Sequence, residues 1–214
     1  MQIASPVPFS LTLSRWFMRL AQLMATLQPN FIVGIGGSAG GLKAYKALLD
    51  ALPADTGMAF VIVPHLLPTA TSQLSAILSR HTKMQVMVAS SAMLVRPNHV
   101  YVAPANADLL LVRFSFKVVT PRTKRNVAVD LFFTSLSAAM GPRAIGVVLS
   151  GYDGDGSEGC RQIKAKGGTT FAQDMTAEVN GMPLSAQETG CVDFILPPEK
   201  IAEELQTMGK QVAK

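Results

Sequence analysis

Short, continuous apolar runs alternate with helix-length segments along most of this chain. Few of the runs show polar alternation, which is typical of strands that are buried on both faces of a parallel sheet. The helix-like segments between them give the βαβ order of an open, doubly wound sheet. The runs lie at 31–35, 59–64, 84–89, 99–103, 144–150, 168–173 and 191–196, and the helix-like segments lie near 40–51, 70–81, 130–140, 156–166 and 198–208.

One segment breaks the alternation. Residues 108–120 contain two extended runs with no helix between them, which predicts an antiparallel hairpin. The expected fold is therefore a three-layer α/β/α domain: a doubly wound, mostly parallel sheet with helices on both faces and one antiparallel hairpin. The chain of 214 residues fits one such domain. We expect an N-terminal extension or linker helix over 1–29, the domain over 30–208 and a tail over 209–214.

The N-terminal segment 9–27 has apolar residues at helical spacing, with Arg15 and Arg19 toward the other face. The two arginines interrupt the apolar stretch, so the segment does not resemble a membrane span. It has no basic start before an apolar core, so it does not resemble a signal peptide either. Four interpretations stay open: a helix that docks on the domain, the end of a linker, a membrane-surface or partner helix, and a true start of the protein at Met18 or Met24.

Charge and cysteine content bear on partners and location. The net charge is +5, and the basic residues are scattered apart from a short cluster at 121–125. No aromatic residues interleave with that cluster, so we expect no nucleic acid partner. Cys160 and Cys191 form neither a disulfide framework nor a metal-ligand spacing, which predicts buried thiols in a reducing cytoplasm. The three histidines also lack acidic or thiol ligands at metal-binding spacing, so we expect no metal.

A glycine-rich loop, Gly-Ile-Gly-Gly-Ser-Ala-Gly at 34–40, follows the first strand. Part of it fits the dinucleotide pattern G-x-G-x-x-A, which also needs an acid at the end of the second strand. His65 stands near that position, and Asp55 falls before the strand, so nucleotide binding is the weaker alternative. The same loop matches G-x-S-x-G with Ser38 at its centre, a pattern that raises a serine hydroxyl above a sheet.

Three chemically active side chains follow three of the strands. Ser38 follows the first strand, His65 follows the second, and Asp155 follows the 144–150 run. The carboxyl ends of parallel strands are where sites form in such sheets, and a serine, a histidine and a carboxylate are the parts of a nucleophilic triad. Each residue also has an ordinary structural interpretation: a helix N-cap for Ser38, a core histidine for His65 and a turn residue for Asp155.

Longer stretches carry a specific resemblance. The chain contains, in order, VGIGGSAGGLKAYKALLDALP, VIVPHLLP, LSRHTKMQV, RPNHVYVAP, AIGVVLSGYDGDGSEGCRQIKAKGG, FAQDMTAEVNGMP and VDFILPPEKI. These stretches resemble the catalytic domain of the chemotaxis protein-glutamate methylesterases, the CheB family. The resemblance runs from about Phe31 to Leu205. The sequence of these stretches is most similar to the methylesterase domain of fusions that also carry a receptor methyltransferase. The domain at 30–208 would then be a methylesterase catalytic domain.

The resemblance implies a cytoplasmic serine hydrolase that removes methyl groups from glutamate γ-methyl esters on chemoreceptors. Some members of the family also deamidate receptor glutamines, and the chemistry needs no cofactor and no metal. Carried over residue by residue, the nucleophile is Ser38, the histidine is His65 and the triad aspartate is Asp155. Backbone donors for the oxyanion are expected near Ala39 and Tyr152.

Departures from the family pattern concern the rim of the expected site. The family usually has a glycine where Asp153 stands, and Tyr152 is bulky at a position that faces the substrate in the family. Asp153 and Met182 are the candidates for residues at the substrate rim. We expect a monomer that acts on methyl-accepting chemoreceptors and does not insert into the membrane. The alternative is a catalytically idle domain of the same fold that binds a receptor or a regulator.

Overall fold

A computed structural model describes residues 28–65, 73–124 and 126–212 of the chain. The expected helix at 9–27 therefore lies outside the described residues. In chain order the elements are β1 (Ile32–Gly37), α1 (Gly41–Ala51), β2 (Ala59–Pro64), α2 (Gln73–Leu78), β3 (Gln85–Val88), β4 (His99–Val102), β5 (Asp108–Val112), β6 (Ser115–Val119), α3 (Ala128–Met140), β7 (Ala144–Val148), α4 (Ser157–Ala165), β8 (Thr169–Gln173), α5 (Gly181–Glu188), β9 (Phe194–Leu196) and α6 (Pro198–Val212).

Seven of the strands form one parallel sheet in the order β3-β4-β2-β1-β7-β8-β9. Strand β1 lies in the middle, where Gly37 is opposite Pro64 of β2 and Gly36 is opposite Val148 of β7. The chain runs from β1 to one side and later returns to the other side through β7, so the strand order reverses at this point. Ligands bind at such a switch point in open α/β sheets.

Helices cover both faces of the sheet, as the sequence predicted. Helices α1, α2 and α6 bury their apolar sides against one face. Helices α3, α4 and α5 and the β5–β6 hairpin pack on the other face. The hairpin is antiparallel and forms a separate two-stranded sheet, which confirms the prediction for 108–120. Every strand residue of β1, β2 and β7 is buried, in agreement with their continuous apolar sequence.

Helix α3 lies unusually close to the middle of the sheet. A Cβ atom added at Gly36 would stand 2.5 Å from Val129 Cγ1, and one added at Gly34 would stand 2.8 Å from the Phe133 ring. Real Cβ atoms do not approach other atoms so closely, so both positions require glycine. The glycines of the loop motif therefore set the distance between β1 and the first turn of α3.

Both ends of the described chain lie beside the turn that precedes β2. The Asn30 N–H donates a hydrogen bond of 3.0 Å to the Gly57 carbonyl, just before β1 begins. In α6, a Cβ atom at Gly209 would stand 2.8 Å from the carbonyl oxygen of Thr56. This turn belongs to the amino edge of the sheet, so the two ends meet on the side opposite the carboxyl ends of the strands.

Three details differ from the sequence-based expectations. Helix α5 was not predicted, because Gly181, Met182 and Pro183 resemble a turn; Pro183 is tolerated because the first helical turn has N–H groups without intrahelical partners. Helix α6 continues to Val212 rather than ending near 208. Cys160 is buried as predicted, and burial raises the pKa of its thiol to about 12, whereas Cys191 is only half-buried.

None of the helices in the described part of the chain has the length and apolar character that a membrane crossing requires.

Candidate active site

Ser38 stands in the turn between β1 and α1. Its backbone N–H donates to the Ser150 carbonyl at 2.8 Å, and its own carbonyl accepts from the Gly41 N–H at 2.9 Å. Gly40 has a φ of +74°, a left-handed conformation that favours glycine, and this lets the chain turn directly into α1. The turn holds Ser38 between the carboxyl ends of β1 and β7.

Gly151 leaves the space beside Ser38 open. A Cβ atom at this position would stand 3.1 Å from Ser38 Cβ and 2.1 Å from Met182 Sδ. Met182 is fully buried, so in this structure it underlies the site instead of standing at the rim where the sequence analysis expected it. Met182 supports the loop that contains Gly151. Its backbone N–H also donates a hydrogen bond to the Gly151 carbonyl.

His65 follows β2 and lies next to the serine turn. Its backbone N–H donates to the Gly37 carbonyl at 3.2 Å, one residue before Ser38. Its side chain is 9% exposed, and its Nε2 lies 2.6 Å from Asp155 Oδ2. Within the described residues, no hydrogen bond joins Ser38 Oγ to the imidazole. Because Nε2 is bound to Asp155, Nδ1 is the ring nitrogen left for a serine.

Asp155 is fully buried and is held by the N-terminus of α3. Its Oδ2 accepts from the Val129 N–H at 3.0 Å, and its Oδ1 accepts from the Asp130 N–H at 2.9 Å. The positive end of a helix dipole and two backbone donors stabilise a carboxylate. With the contact to His65, the Asp155 side chain therefore has three hydrogen-bond partners, which fix its position.

Asp130 fixes the loop that contains Asp155. Its Oδ1 accepts from the Gly156 N–H at 2.9 Å and from the Gly159 N–H at 2.7 Å, so it caps α4. Burial raises the pKa of the Asp130 carboxyl above its usual value, and the Asp155 charge adds to this rise, while the two N–H groups oppose it. The sequence analysis did not identify Asp130 as part of the site. The available signal was an acidic residue at the third position of helix α3.

Asp153 is the second carboxylate near the imidazole. Its Oδ2 lies 3.7 Å from His65 Nδ1, and its side chain is 31% exposed. Its Oδ1 accepts from the Asp155 N–H at 3.2 Å, which stabilises a tight turn between the two acids. The structure thus brings both acids of the Gly-Tyr-Asp-Gly-Asp-Gly loop to the same histidine, on different ring nitrogens.

Two backbone N–H groups near Ser38 are unpaired. In the ranges that the structure describes, neither the Ala39 N–H nor the Tyr152 N–H donates a hydrogen bond. The Tyr152 side chain, which belongs to one of these two residues, is largely exposed to solvent. The site can therefore offer donors to a developing negative charge at the edge of an open surface.

The other ionisable candidates have structural partners. His81 Nδ1 lies 3.0 Å from the Asp50 carboxylate, and His99 Nδ1 lies 2.7 Å from the Pro97 carbonyl. Asp55 lies in the turn before β2, at the edge away from the glycine loop, so it does not supply the acid that dinucleotide binding needs. No group of three or more His, Cys, Asp or Glu side chains within 28–65, 73–124 and 126–212 is arranged to hold a metal ion.

Fold and site together define a class: three-layer α/β/α proteins with a buried histidine–aspartate pair beside a serine turn at the switch point of a parallel sheet. The family described as CheB methylesterase matches residues 33–205. The chain belongs to this family.

Relatives and a solved structure agree with this assignment. The chain is 37% identical over 179 residues to a protein-glutamate methylesterase/protein-glutamine glutaminase of Moorella thermoacetica, and it covers 42% of that protein. The chain is 38% identical over 185 residues to protein-glutamate methylesterase/protein-glutamine glutaminase 2 of Burkholderia lata, and it covers 53% of that protein. These matches use 80% and 83% of this chain, which thus spans about half the length of these two relatives.

A shorter relative is covered almost completely. The chain is 36% identical over 173 residues to a protein of Leptospira interrogans, using 79% of this chain and 90% of that protein. The crystal structure of the Thermotoga maritima CheB methylesterase catalytic domain is similar with a TM-score of 0.76 and 30% identity. That comparison covers 83% of this chain and 98% of the solved one, so the described fold corresponds to the catalytic domain as a unit.

Proposed function

We propose that residues 30–208 form a protein-glutamate methylesterase that acts on chemoreceptors in the cytoplasm, with Ser38, His65 and Asp155 as its triad. The observation that carries the proposal is the contact of 2.6 Å between His65 Nε2 and Asp155 Oδ2, beside the turn that contains Ser38. A buried carboxylate on one ring nitrogen fixes the tautomer in which the other nitrogen accepts a proton. That is the state a serine nucleophile needs.

The reaction follows from these positions. Ser38 Oγ attacks the carbonyl carbon of the glutamate methyl ester while His65 Nδ1 takes the hydroxyl proton. The tetrahedral intermediate collapses, the ester C–O bond breaks, and Nδ1 returns the proton to the departing methanol. Water then attacks the acyl-serine with His65 as base, which releases glutamate and restores Ser38. A glutamine side chain would follow the same course with ammonia as the leaving group.

Two further features support this chemistry. The unpaired N–H groups of Ala39 and Tyr152 are suited to stabilise the oxyanion, which is often a large contribution to catalysis. The largely exposed side chain of Tyr152 gives the site an open margin. An open margin suits a substrate side chain presented on the surface of a receptor helix.

The test is methanol release from membranes that contain methylated chemoreceptors. Ser38→Ala should lower the rate by several orders of magnitude, because removing a member of a triad has that effect. Ser79→Ala is the matched control, since Ser79 is an exposed serine at the end of α2 and should leave the rate unchanged. A serine-reactive fluorophosphonate should label the wild type and the control but not Ser38→Ala.

Two results would contradict the proposal. A folded Ser38→Ala protein that releases methanol at the wild-type rate would mean that Ser38 is not the nucleophile. A wild-type protein that binds receptors, releases no methanol and resists the probe would be the catalytically idle domain of the same fold.

A further inference from the structure

Two carboxylates contact the same imidazole, one at each ring nitrogen. Asp155 Oδ2 lies 2.6 Å from His65 Nε2, and Asp153 Oδ2 lies 3.7 Å from His65 Nδ1. The first distance is that of a strong hydrogen bond, whereas the second is within ion-pair distance and too long for a hydrogen bond. One carboxylate therefore orients the ring, while the other acts on it mainly through its charge.

The nitrogen that faces Asp153 is the one that would take part in proton transfer. Because Nε2 is occupied by Asp155, a proton taken from Ser38 has to be received at Nδ1. The imidazolium formed in this way would carry its new N–H directly beside the Asp153 carboxylate. The position of Asp153 thus matters most at the moment when positive charge develops on the ring.

We propose that Asp153 is an electrostatic positioning residue that stabilises the protonated state of His65 during catalysis. This inference rests on the proposed function. Asp153 takes no proton in the reaction: the proton moves from Ser38 Oγ to Nδ1 and then to the leaving methanol. Its negative charge lowers the energy of the state in which Nδ1 holds the proton.

Few charged groups lie close enough to the His65 ring to act on it as Asp153 does. In the described part of the chain, Asp153 and Asp155 are the charged groups within ion-pair distance of the ring. From the neighbouring helix α3, Asp130 approaches Asp155 but directs its own carboxylate to the N-terminus of α4. Asp155 is held by backbone donors, so Asp153 is the acid that is least engaged by other groups.

The charge of Asp153 acts on the chemical step. When Nδ1 receives the proton from Ser38, the nearby carboxylate lowers the energy of the ion that forms. Removal of the charge should therefore lower kcat, while KM for the methylated receptor should change little.

The variant Asp153→Asn removes the negative charge of the side chain and keeps the turn that its oxygen stabilises. An asparagine keeps an oxygen that can accept from the Asp155 N–H, so the loop geometry has the same support. Asp174→Asn is the matched control: Asp174 follows β8, and its Oδ1 accepts from the Thr176 N–H at 3.0 Å in the same kind of turn, with no histidine in contact. Only the Asp153 variant should change the catalytic rate.

The experiment measures kcat and KM for methanol release at two salt concentrations for the wild type and both variants. Asp153→Asn should have a kcat lowered by about threefold to tenfold, as expected for a partly exposed charge near the ring. Its KM for the methylated receptor should stay close to that of the wild type. Raising the salt concentration should reduce the difference between the two proteins, because salt screens a partly exposed charge.

The outcomes distinguish this inference from the proposed function. If Ser38→Ala is inactive but Asp153→Asn has the wild-type kcat, or if Asp174→Asn changes in the same way as Asp153→Asn, the inference is wrong and the methylesterase assignment stands. If the wild type releases no methanol and takes no fluorophosphonate, the proposed function itself fails.

Discussion

Two acids that are two residues apart in the chain have very different surroundings. Asp155 is buried and has three hydrogen-bond donors, of which two come from the first turn of α3. Asp153 is partly exposed and contacts the imidazole only at ion-pair distance. Since environment decides what a carboxylate does in a site, the buried acid suits the orientation of His65 and the exposed acid suits an electrostatic role.

Asp155→Asn should abolish most of the activity. The amide NH₂ would donate to His65 Nε2, which would force the proton onto Nδ1, the nitrogen that has to accept from Ser38. We expect a loss of several orders of magnitude in the rate of methanol release, far larger than that of Asp153→Asn. Equal losses in the two variants, measured on proteins with the same thermal unfolding midpoint, would overturn the separate roles given to the two acids.

At the scale of elements, helix α3 connects the core to the site. Its first turn binds Asp155, its Val129 packs on Gly36, and its Phe133 fills a space between β1, β7 and α4. Glycines line that space: a Cβ atom at Gly159 would stand 2.5 Å from Phe133, and atoms at Gly34 and Gly146 would also be too close. One aromatic ring thus fixes the height of the helix above the sheet.

Phe133→Ala should be strongly destabilising, because three glycines leave no side chains that could fill the cavity. We expect a loss of about 3–5 kcal/mol in the free energy of unfolding, the usual cost of removing a buried phenylalanine. Urea unfolding followed by circular dichroism measures this quantity. Leu94→Ala is the control, since Leu94 is exposed and its truncation should stay within about 0.5 kcal/mol. Similar values for the two variants would refute this account of α3.

Most strands and helices of the domain could be predicted from the sequence, whereas the contacts between distant elements could not. Buried parallel strands leave continuous apolar runs, and so the sheet, the hairpin and every helix of the described residues except α5 were expected before the structure. The three strand ends with Ser38, His65 and Asp155 were also expected. The bonds from α3 to Asp155 were not, because they join residues that are 25 and 26 positions apart through backbone groups that have no side-chain signature. The ring nitrogen that faces Asp155 likewise depends on tertiary packing.

On the scale of the whole molecule, the candidate site and the two ends of the described residues lie at opposite edges of the parallel sheet. All carboxyl ends of its strands share one edge, and Asn30 and Gly209 meet at the opposite edge beside Thr56 and Gly57. The described residues also contain the complete sheet and both of its helical layers. The domain therefore has the core that independent folding requires.

A shortened chain that begins at Pro29 should fold and keep the rate of the full chain. The prediction follows from the position of Asn30 at the edge away from Ser38, where the removed residues are attached far from the site. Methanol release and light scattering on both chains give the rate and the oligomeric state. A large rise in rate on truncation would identify residues 1–28 as an inhibitory segment and contradict the prediction.

The two ends of the described residues, which meet at the amino edge, also limit what a tethered neighbour can reach. A domain joined close to Asn30 or to the end of α6 would start on the side of the sheet opposite the site. Strand β1 has six residues, so the sheet is roughly 20 Å tall, at about 3.3 Å for each residue. A linker needs at least about six extended residues to span that height. Linker length, rather than the order of the joined parts, would then decide whether a fused neighbour can close the site or leaves it permanently open.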